Sequence, residues 1–258
     1  METQQKLKNK EMKLPILPKN IRRIADDEKF AFACHTGVDC FTHCCRQLEL
    51  SLTPYDMLRL KNALGLDSSE FLEKYVITEQ DDTDIFPRFY LTMVDDGNAS
   101  CVFVTPKGCT VYTDRPGACR AYPLGRAAMR KADNSIESFF VLLNEEHCNG
   151  FGESCRQTAR RYSEEQGLDT YNRMNDLLGT LLQHERIRGG MRLSDEQVTL
   201  FTHALYDLDT FRKRLFSGQA GTDVPPPHIQ EELADDEKLL LYAIEWLKER
   251  FFAEEDRV

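Results

Sequence analysis

The sequence predicts a mostly helical α+β protein, in which a small Cys-rich region of short strands and helices, held by metal, packs on a C-terminal helical bundle. Three observations predict it. All nine cysteines fall between Cys34 and Cys155, and none follows. Within that stretch the apolar runs are short and bounded by turns, as expected where bound metal rather than a broad core holds a region together. Beyond it, apolar residues recur at three- and four-residue spacing, the pattern of amphipathic helices. The expected organisation is a flexible N-terminal arm at 1–28, a Cys-rich metal-binding domain at 29–155 and a helical region at 156–258.

The elements can be read in order. Residues 1–28 are polar and basic-leaning, carry Pro15 and Pro18, and read as a loosely ordered arm. Thr53 before Pro54 is an N-cap with proline in the first turn, predicting a short helix from Tyr55 to Leu64 that Gly65 ends. Ser68 or Ser69 can cap a second helix through Tyr75. Phe86–Val94 and Cys101–Val104 read as strands around the turn Asp95-Asp96-Gly97-Asn98, and Ser138–Leu143 as another. After Cys155, Arg156–Gln166 reads as a polar helix stopped by Gly167. Leu168, Tyr171, Met174, Leu178, Leu181 and Leu182 form a helical stripe within Leu168–Ile187. Ser194-Asp195-Glu196-Gln197 is a capping box opening a helix to about Ser217. A Gly- and Pro-rich linker at 218–227 precedes a last helix from about Ala234 to Ala253.

The formal net charge of −10 argues against nonspecific nucleic-acid binding, which needs positive surface to displace counterions. No apolar run is long enough to span a bilayer, and the N-terminal sequence lacks the continuous apolar stretch of a secretory signal. The expectation is a cytoplasmic protein with no membrane association. In a reducing compartment its cysteines point to metal or redox chemistry rather than disulfides.

Four thiols come first, in Cys34-x5-Cys40-x3-Cys44-Cys45, and four more follow at Cys101, Cys109, Cys119 and Cys148. Thiolates are soft ligands suited to zinc and to iron–sulfur clusters, and both commonly take four. Adjacent side chains diverge in extended chain, so Cys44 and Cys45 either serve different metals or sit on a bend that aims both inward. Phe32 and Phe41 could shield such a site from water. Gly108 and Gly117 each precede a cysteine, where a tight turn would offer N–H groups to a sulfur. Arg115 and Arg120 would place positive charge beside thiolates and lower their pKa. His35, His43 and His147 adjoin cysteines, but with eight thiols available imidazole ligation is not needed. Cys155, near a helix start, reads as a free thiol outside the set.

Several signatures are absent. There is no Cys-x2-Cys pair, which disfavours thioredoxin-like chemistry and zinc ribbons. There is no phosphate-binding or dinucleotide-binding glycine loop, no zinc-protease His-Glu-x2-His, and no radical-SAM Cys-x3-Cys-x2-Cys triplet. The missing ribbon spacing tilts the choice toward an iron–sulfur cluster, of the 4Fe-4S kind, over zinc.

Phe32-x-Cys34-x5-Cys40-x3-Cys44-Cys45, Cys101-Val102-Phe103, Cys109-x2-Tyr112-x2-Arg115-Pro116-x2-Cys119-Arg120-x-Tyr122-Pro123 and Cys148-Asn149-Gly150 together resemble the YkgJ-type cysteine cluster family of zinc- or iron-chelating domains. The resemblance covers roughly residues 30–150, and its most specific part is 109–123. The opening differs: the gap after Cys34 is wider than the family's usual one. The resemblance implies metal ligation by Cys34, Cys40, Cys44, Cys45, Cys101, Cys109, Cys119 and Cys148, with Tyr112, Arg115 and Arg120 as supporting residues around them. A related cluster in flagellin lysine-N-methylases extends the implication to protein modification, although no SAM-binding loop is readable in this chain. Three readings follow. The first is a cytoplasmic protein with an iron–sulfur cluster, zinc or both, and redox or modifying activity. The second is a structural zinc module whose helical half binds a protein partner, and the third a methylase-like enzyme.

Overall fold

The first strand lies inside the stretch read as an arm. In the computed structural model, which describes residues 17–131 and 135–253, the chain opens with β1 (Ile21–Ile24) and β2 (Lys29–Ala31) and then makes a 3-10 turn at His43–Cys45. Two helices follow, α1 (Pro54–Leu64) and α2 (Ser68–Tyr75). Six short strands come next: β3 (Val76–Glu79), β4 (Arg88–Leu91), β5 (Met93–Val94), β6 (Ser100–Cys101), β7 (Val104–Thr105) and β8 (Gly108–Cys109). A 3-10 turn at Tyr112–Asp114 and the short α3 (Gly117–Ala121) lead into β9 (Leu124–Arg130) and β10 (Ile136–Leu143). Another 3-10 turn at Asn149–Gly152 precedes β11 (Arg156–Thr158). The remainder is α4 (Ala159–Glu165), α5 (Leu168–Leu182), α6 (Glu185–Arg188), α7 (Asp195–Leu205), α8 (Leu208–Phe216), α9 (Pro227–Glu232) and α10 (Asp236–Phe252). The protein is mostly helical α+β, its strands divided among small separate sheets.

Residues 1–16, with Pro15, lie outside the described residues. Residues 17–28 do not form the expected arm. Ile21–Ile24 pairs antiparallel with β10, in register from Ile21 opposite Leu143 to Ile24 opposite Phe140. Ile24 is buried there, so its apolar side chain and the backbone ladder together hold the strand. β10 pairs on its other edge with β9, giving the order β1-β10-β9. β2 pairs with β11, which turns Arg156–Thr158 into strand where a polar helix was expected. The helix starts later, at Ala159, because the Thr158 side chain caps it by accepting from Arg161 N–H.

Local signals explain the other boundaries. α1 has the expected Thr53 cap and Pro54, and Gly65 ends it at φ 65°, a left-handed conformation that glycine adopts without strain. Asp67, rather than either serine, caps α2 by accepting from Ser69 N–H. Its Ser68 hydroxyl donates instead to Asp207 at 2.7 Å. Asp207 also stands at the break between α7 and α8, where one continuous helix was expected. The stripe from Leu168 likewise stops at Leu182, and His184 caps the separate α6. The Phe86–Val94 run divides into β4, which pairs with β3, and β5, which pairs with β6.

Two apolar cores result. The larger runs from Leu50 and Tyr55 through Phe71, Phe89, Tyr171 and Phe201 to Leu240 and Phe251, so it joins the short strands and α1 to the later helices. Each fully buried side chain of this size contributes about 1.5–3 kcal/mol. The smaller holds Ile24, Phe30, Phe32, Leu124, Leu142, Ala159 and Tyr162. A buried ion cluster crosses the large core: Lys61 on α1, 6% exposed, lies 3.0 Å from Asp209 and 2.9 Å from Asp236, and both carboxylates also meet Arg212.

Candidate metal centre

The turn at His43–Cys45 organises the thiols. Backbone hydrogen bonds from Phe41 to Val38, His43 to Cys40 and Cys45 to Thr42 wind residues 38–45 into successive tight turns. Thr42 has φ 67°, a left-handed conformation unfavourable for a β-branched residue at about 1–3 kcal/mol. The Arg46 guanidinium donates to its carbonyl at 2.7 Å and holds it. A 3-10 turn rotates successive side chains by about 120°. Cys44 and Cys45 therefore leave the backbone in different directions.

Cys44 turns toward Cys34, Cys40 and Cys148. These four line one small cleft with Phe32, Val38, Tyr122 and His147. Cys34 follows β2, whose neighbour Ala33 donates to the Gly150 carbonyl at 3.1 Å. That bond draws the 149–152 turn, and with it Cys148, against Cys34. Gly150 fits only as glycine, since a Cβ would stand 2.7 Å from the Phe32 ring and 2.8 Å from the Ala33 carbonyl oxygen. Asn149 N–H donates to Cys40 Sγ at 3.1 Å. The group packs on the small core through Cys148, Tyr122 and Phe151.

Cys45 turns toward Cys101 and Cys119, with Cys109 close to both. A bridge between Arg46 and Ser100 lays Cys45 beside Cys101. β7 and β8 pair Val104 with Cys109, and their connection needs Gly108 at φ +115°, with the Phe41 ring packed over it. Cys119 sits on α3. Cys101 and Cys109 pack on the large core, so each thiol group belongs to a different core.

Electrostatics distinguish the thiols. Cys34 keeps part of its surface open to solvent, yet partial burial, then the neighbouring sulfurs, pushes it up to about 11. Cys119 likewise keeps part of its surface open to solvent, yet burial and then the charges of Cys101 and Asp56 push it up to about 12. Burial also raises Cys101, Cys109 and Cys148, against N–H groups that favour the thiolates: those of Phe103 and Val104 at Cys101, Val111 at Cys109 and Gly150 at Cys148. Cys44 is the exception. A hydrogen bond from Cys45 brings it down to about 7, and the same bond together with burial raises Cys45.

Residues 33–156 match the CxxCxxCC family, described as "Putative zinc- or iron-chelating domain". The likeness to that family covers this segment, just under half of the chain. No curated protein and no solved structure matches the chain. The CxxCxxCC domain thus contains all nine cysteines and is the cysteine cluster family that the sequence resembles. Among the described residues no three Cys, His, Asp or Glu side chains form a ready metal-binding cluster. Cys34, Cys40, Cys44 and Cys148 line one cleft, and Cys45, Cys101, Cys109 and Cys119 adjoin it, with Cys44 near Cys45 and Cys119 as well. The donor chemistry nevertheless fits zinc or iron, because each set is all-sulfur and is supplied with N–H donors.

One orphaned group fits as well. The Tyr122 hydroxyl is buried without a hydrogen-bond partner of good geometry, and it lies beside Cys148, whose thiolate it favours. A ligating thiolate at Cys148 would supply the missing acceptor.

The residues expected to support the cysteines are arranged differently. The N–H groups that reach sulfur come from residues after the cysteines, and Gly117 N–H goes instead to Asp56 Oδ1 at 2.7 Å. Arg115 is buried, donates to the Tyr112 carbonyl at 2.6 Å, and exerts a minor lowering field on Cys34 and Cys109. Tyr112 is 60% exposed, its ring 3.9 Å from the Arg115 guanidinium. Arg120 donates to the carbonyls of Gln166 and Thr113 and lies over the Tyr171 ring, away from the sulfurs. His35 and His147 face Glu153 and Glu145. Cys155 is exposed, and its carbonyl accepts from Phe32 N–H. Tyr122 stands in the resembling motif, but only its place beside Cys148 gives it a role. Asp56 follows the Thr53-Pro54 helix start, and nothing in the sequence points from it to Gly117.

Proposed function

We propose that the protein is a two-centre metal-binding protein in which Cys34, Cys40, Cys44 and Cys148 hold one centre, and Cys45, Cys101, Cys109 and Cys119 hold the other. The observation that carries this reading is the divergence of Cys44 and Cys45 from one 3-10 turn into separate sets of four thiols. Four thiolates suit an iron–sulfur cluster, and the apolar walls of the first cleft, with Phe32, Val38 and Tyr122, favour one there by limiting water. A bound cluster would supply one-electron redox chemistry. The chain's own residues orient the thiolates: Asn149 N–H at Cys40, Gly150 N–H at Cys148 and the Tyr122 hydroxyl beside Cys148.

A second reading is specific to the other set. N–H groups two and three residues after Cys101, and two after Cys109, stabilise thiolate charge without adding a ligand, which suits a closed structural zinc site. The large core continues through that set into the helical half, consistent with a platform for a protein partner. The test is metal, sulfide and free-thiol analysis of anaerobically purified protein. Two centres per chain with eight protected thiols are expected. Iron with acid-labile sulfide assigns a cluster, and stoichiometric zinc without colour assigns the structural role. Metal-free protein with all thiols reactive overturns both readings.

A further inference from the structure

We infer that Asp56 is a positioning residue for the second centre, fixing the segment that carries Cys119 from within the large core. The inference rests on the reading that Cys119 is a ligand. Asp56 is 3% exposed, on the first turn of α1. Its Oδ2 accepts from Thr53 N–H at 2.8 Å and from the Thr53 hydroxyl at 2.7 Å, which closes the capping box. That role uses one oxygen. The other, Oδ1, crosses to the Cys-rich segment and accepts from Gly117 N–H at 2.7 Å.

Gly117 opens α3, and Cys119 follows two residues later. The approach is tight, since a Cβ at Gly117 would stand 3.1 Å from the Tyr171 ring and 3.6 Å from Asp56 Oδ1. Tyr171 donates to the Arg115 carbonyl at 3.2 Å, so residues 115–117 are gripped from α1 and from α5. The grip continues outward: Tyr55, next to Asp56, stacks edge-on against Tyr171 and donates to Glu237 on α10 at 2.7 Å. A carboxylate accepting a buried N–H makes a strong, directional bond. The Cys34, Cys40, Cys44 and Cys148 set packs on the small core instead, where Tyr162 on α4 donates to the Tyr122 carbonyl. Asp56, on a helix packed against α5 and α10, thus ties the large core to the segment that carries Cys119.

The test is anaerobic cobalt(II) loading of the apo-protein, read by the thiolate-to-cobalt absorption bands and by bound cobalt per chain. The wild type should take two cobalt ions. Asp56→Ala should take one, while Thr53→Val, which weakens the same α1 cap but leaves the Gly117 bond, should still take two. Asp56→Asn keeps an acceptor for Gly117 and should restore the second ion in large part. If Asp56→Ala does not fold, a second pair decides. Gly117→Pro removes the N–H at a first-turn position where proline is tolerated, and Gly117→Ala adds the same Cβ but keeps the N–H. Only the proline variant should lose an ion. Two ions in Asp56→Ala or Gly117→Pro, or equal losses in Thr53→Val and Asp56→Ala, overturn the inference. A wild type that binds no cobalt through thiolate overturns the two-centre reading beneath it.

Discussion

Cys44 and Cys45 are consecutive in one 3-10 turn, yet Cys44 lines the cleft with Cys34, Cys40 and Cys148 while Cys45 lies near Cys101 and Cys119. The Cys45 thiol donates to Cys44, so the two sets touch at this step. Substituting the two residues separately should therefore have different consequences. Cys44→Ser should lose the centre in the Phe32 cleft, and Cys45→Ser the one on the hairpins. Extended fine-structure spectroscopy, or cobalt bands in the remaining site, would separate the two. Identical spectra from both variants would count against the division.

Loading should depend on pH in a definite direction. Thiols raised to about 11 at Cys34 and about 12 at Cys119 hold their protons throughout the neutral range in the metal-free protein. A metal must displace those protons, so affinity rises as pH rises and falls on acidification. Competition with a chelator at several pH values measures this, together with proton release in weak buffer. An affinity flat with pH would contradict it.

Gly150→Ala should harm the first centre selectively. Its new Cβ must push Phe32 or Ala33 aside, which costs about 1–3 kcal/mol and disturbs the turn that carries Cys148. Half the bound metal should be lost while the helical signal persists, and circular dichroism alongside metal analysis reads both.

Lys61→Met should destabilise the protein by about 3–5 kcal/mol, since it leaves Asp209 and Asp236 buried with one cation fewer. Burial pushes Asp236 up, but the hydrogen bonds from Lys61 and Arg212 outweigh it and hold the carboxyl below its ordinary value. Its contribution is thus complete above the ordinary carboxylate range, near roughly pH 4, and is lost as pH falls through the depressed value. Urea unfolding at neutral pH should show the full difference between wild type and variant. At low pH the gap should narrow.

How much of this could be read beforehand depended on whether the cause was local. Thr53 and Pro54 at α1, and the Ser194–Gln197 box at α7, carry their signals within four residues, and the structure has them where the sequence does. The cysteines that the family match encloses could likewise be read from the chain. The adjacency of Cys44 and Cys45 left two arrangements open in the sequence, because the choice depends on a 3-10 turn with Thr42 in an unfavourable conformation, held by Arg46. The strand at Arg156–Thr158 was missed because its reason lies across the molecule, in β2. Asp207 breaks the expected long helix for a similar reason, its partners Ser68 and Ser69 being remote in sequence.

The two cores have a thermodynamic consequence. One set of thiols packs on the small core and the other on the large one, and the Cys44–Cys45 step joins them. Ligand that binds only the folded form adds stability by mass action, about 2.7 kcal/mol at a hundredfold excess over the dissociation constant. With a metal in each proposed centre, each core would draw part of its melting temperature from the free metal concentration around it. At scarce metal the molecule should melt in two stages, and at saturating metal in one, so that the shape of its unfolding curve reports the metal supply.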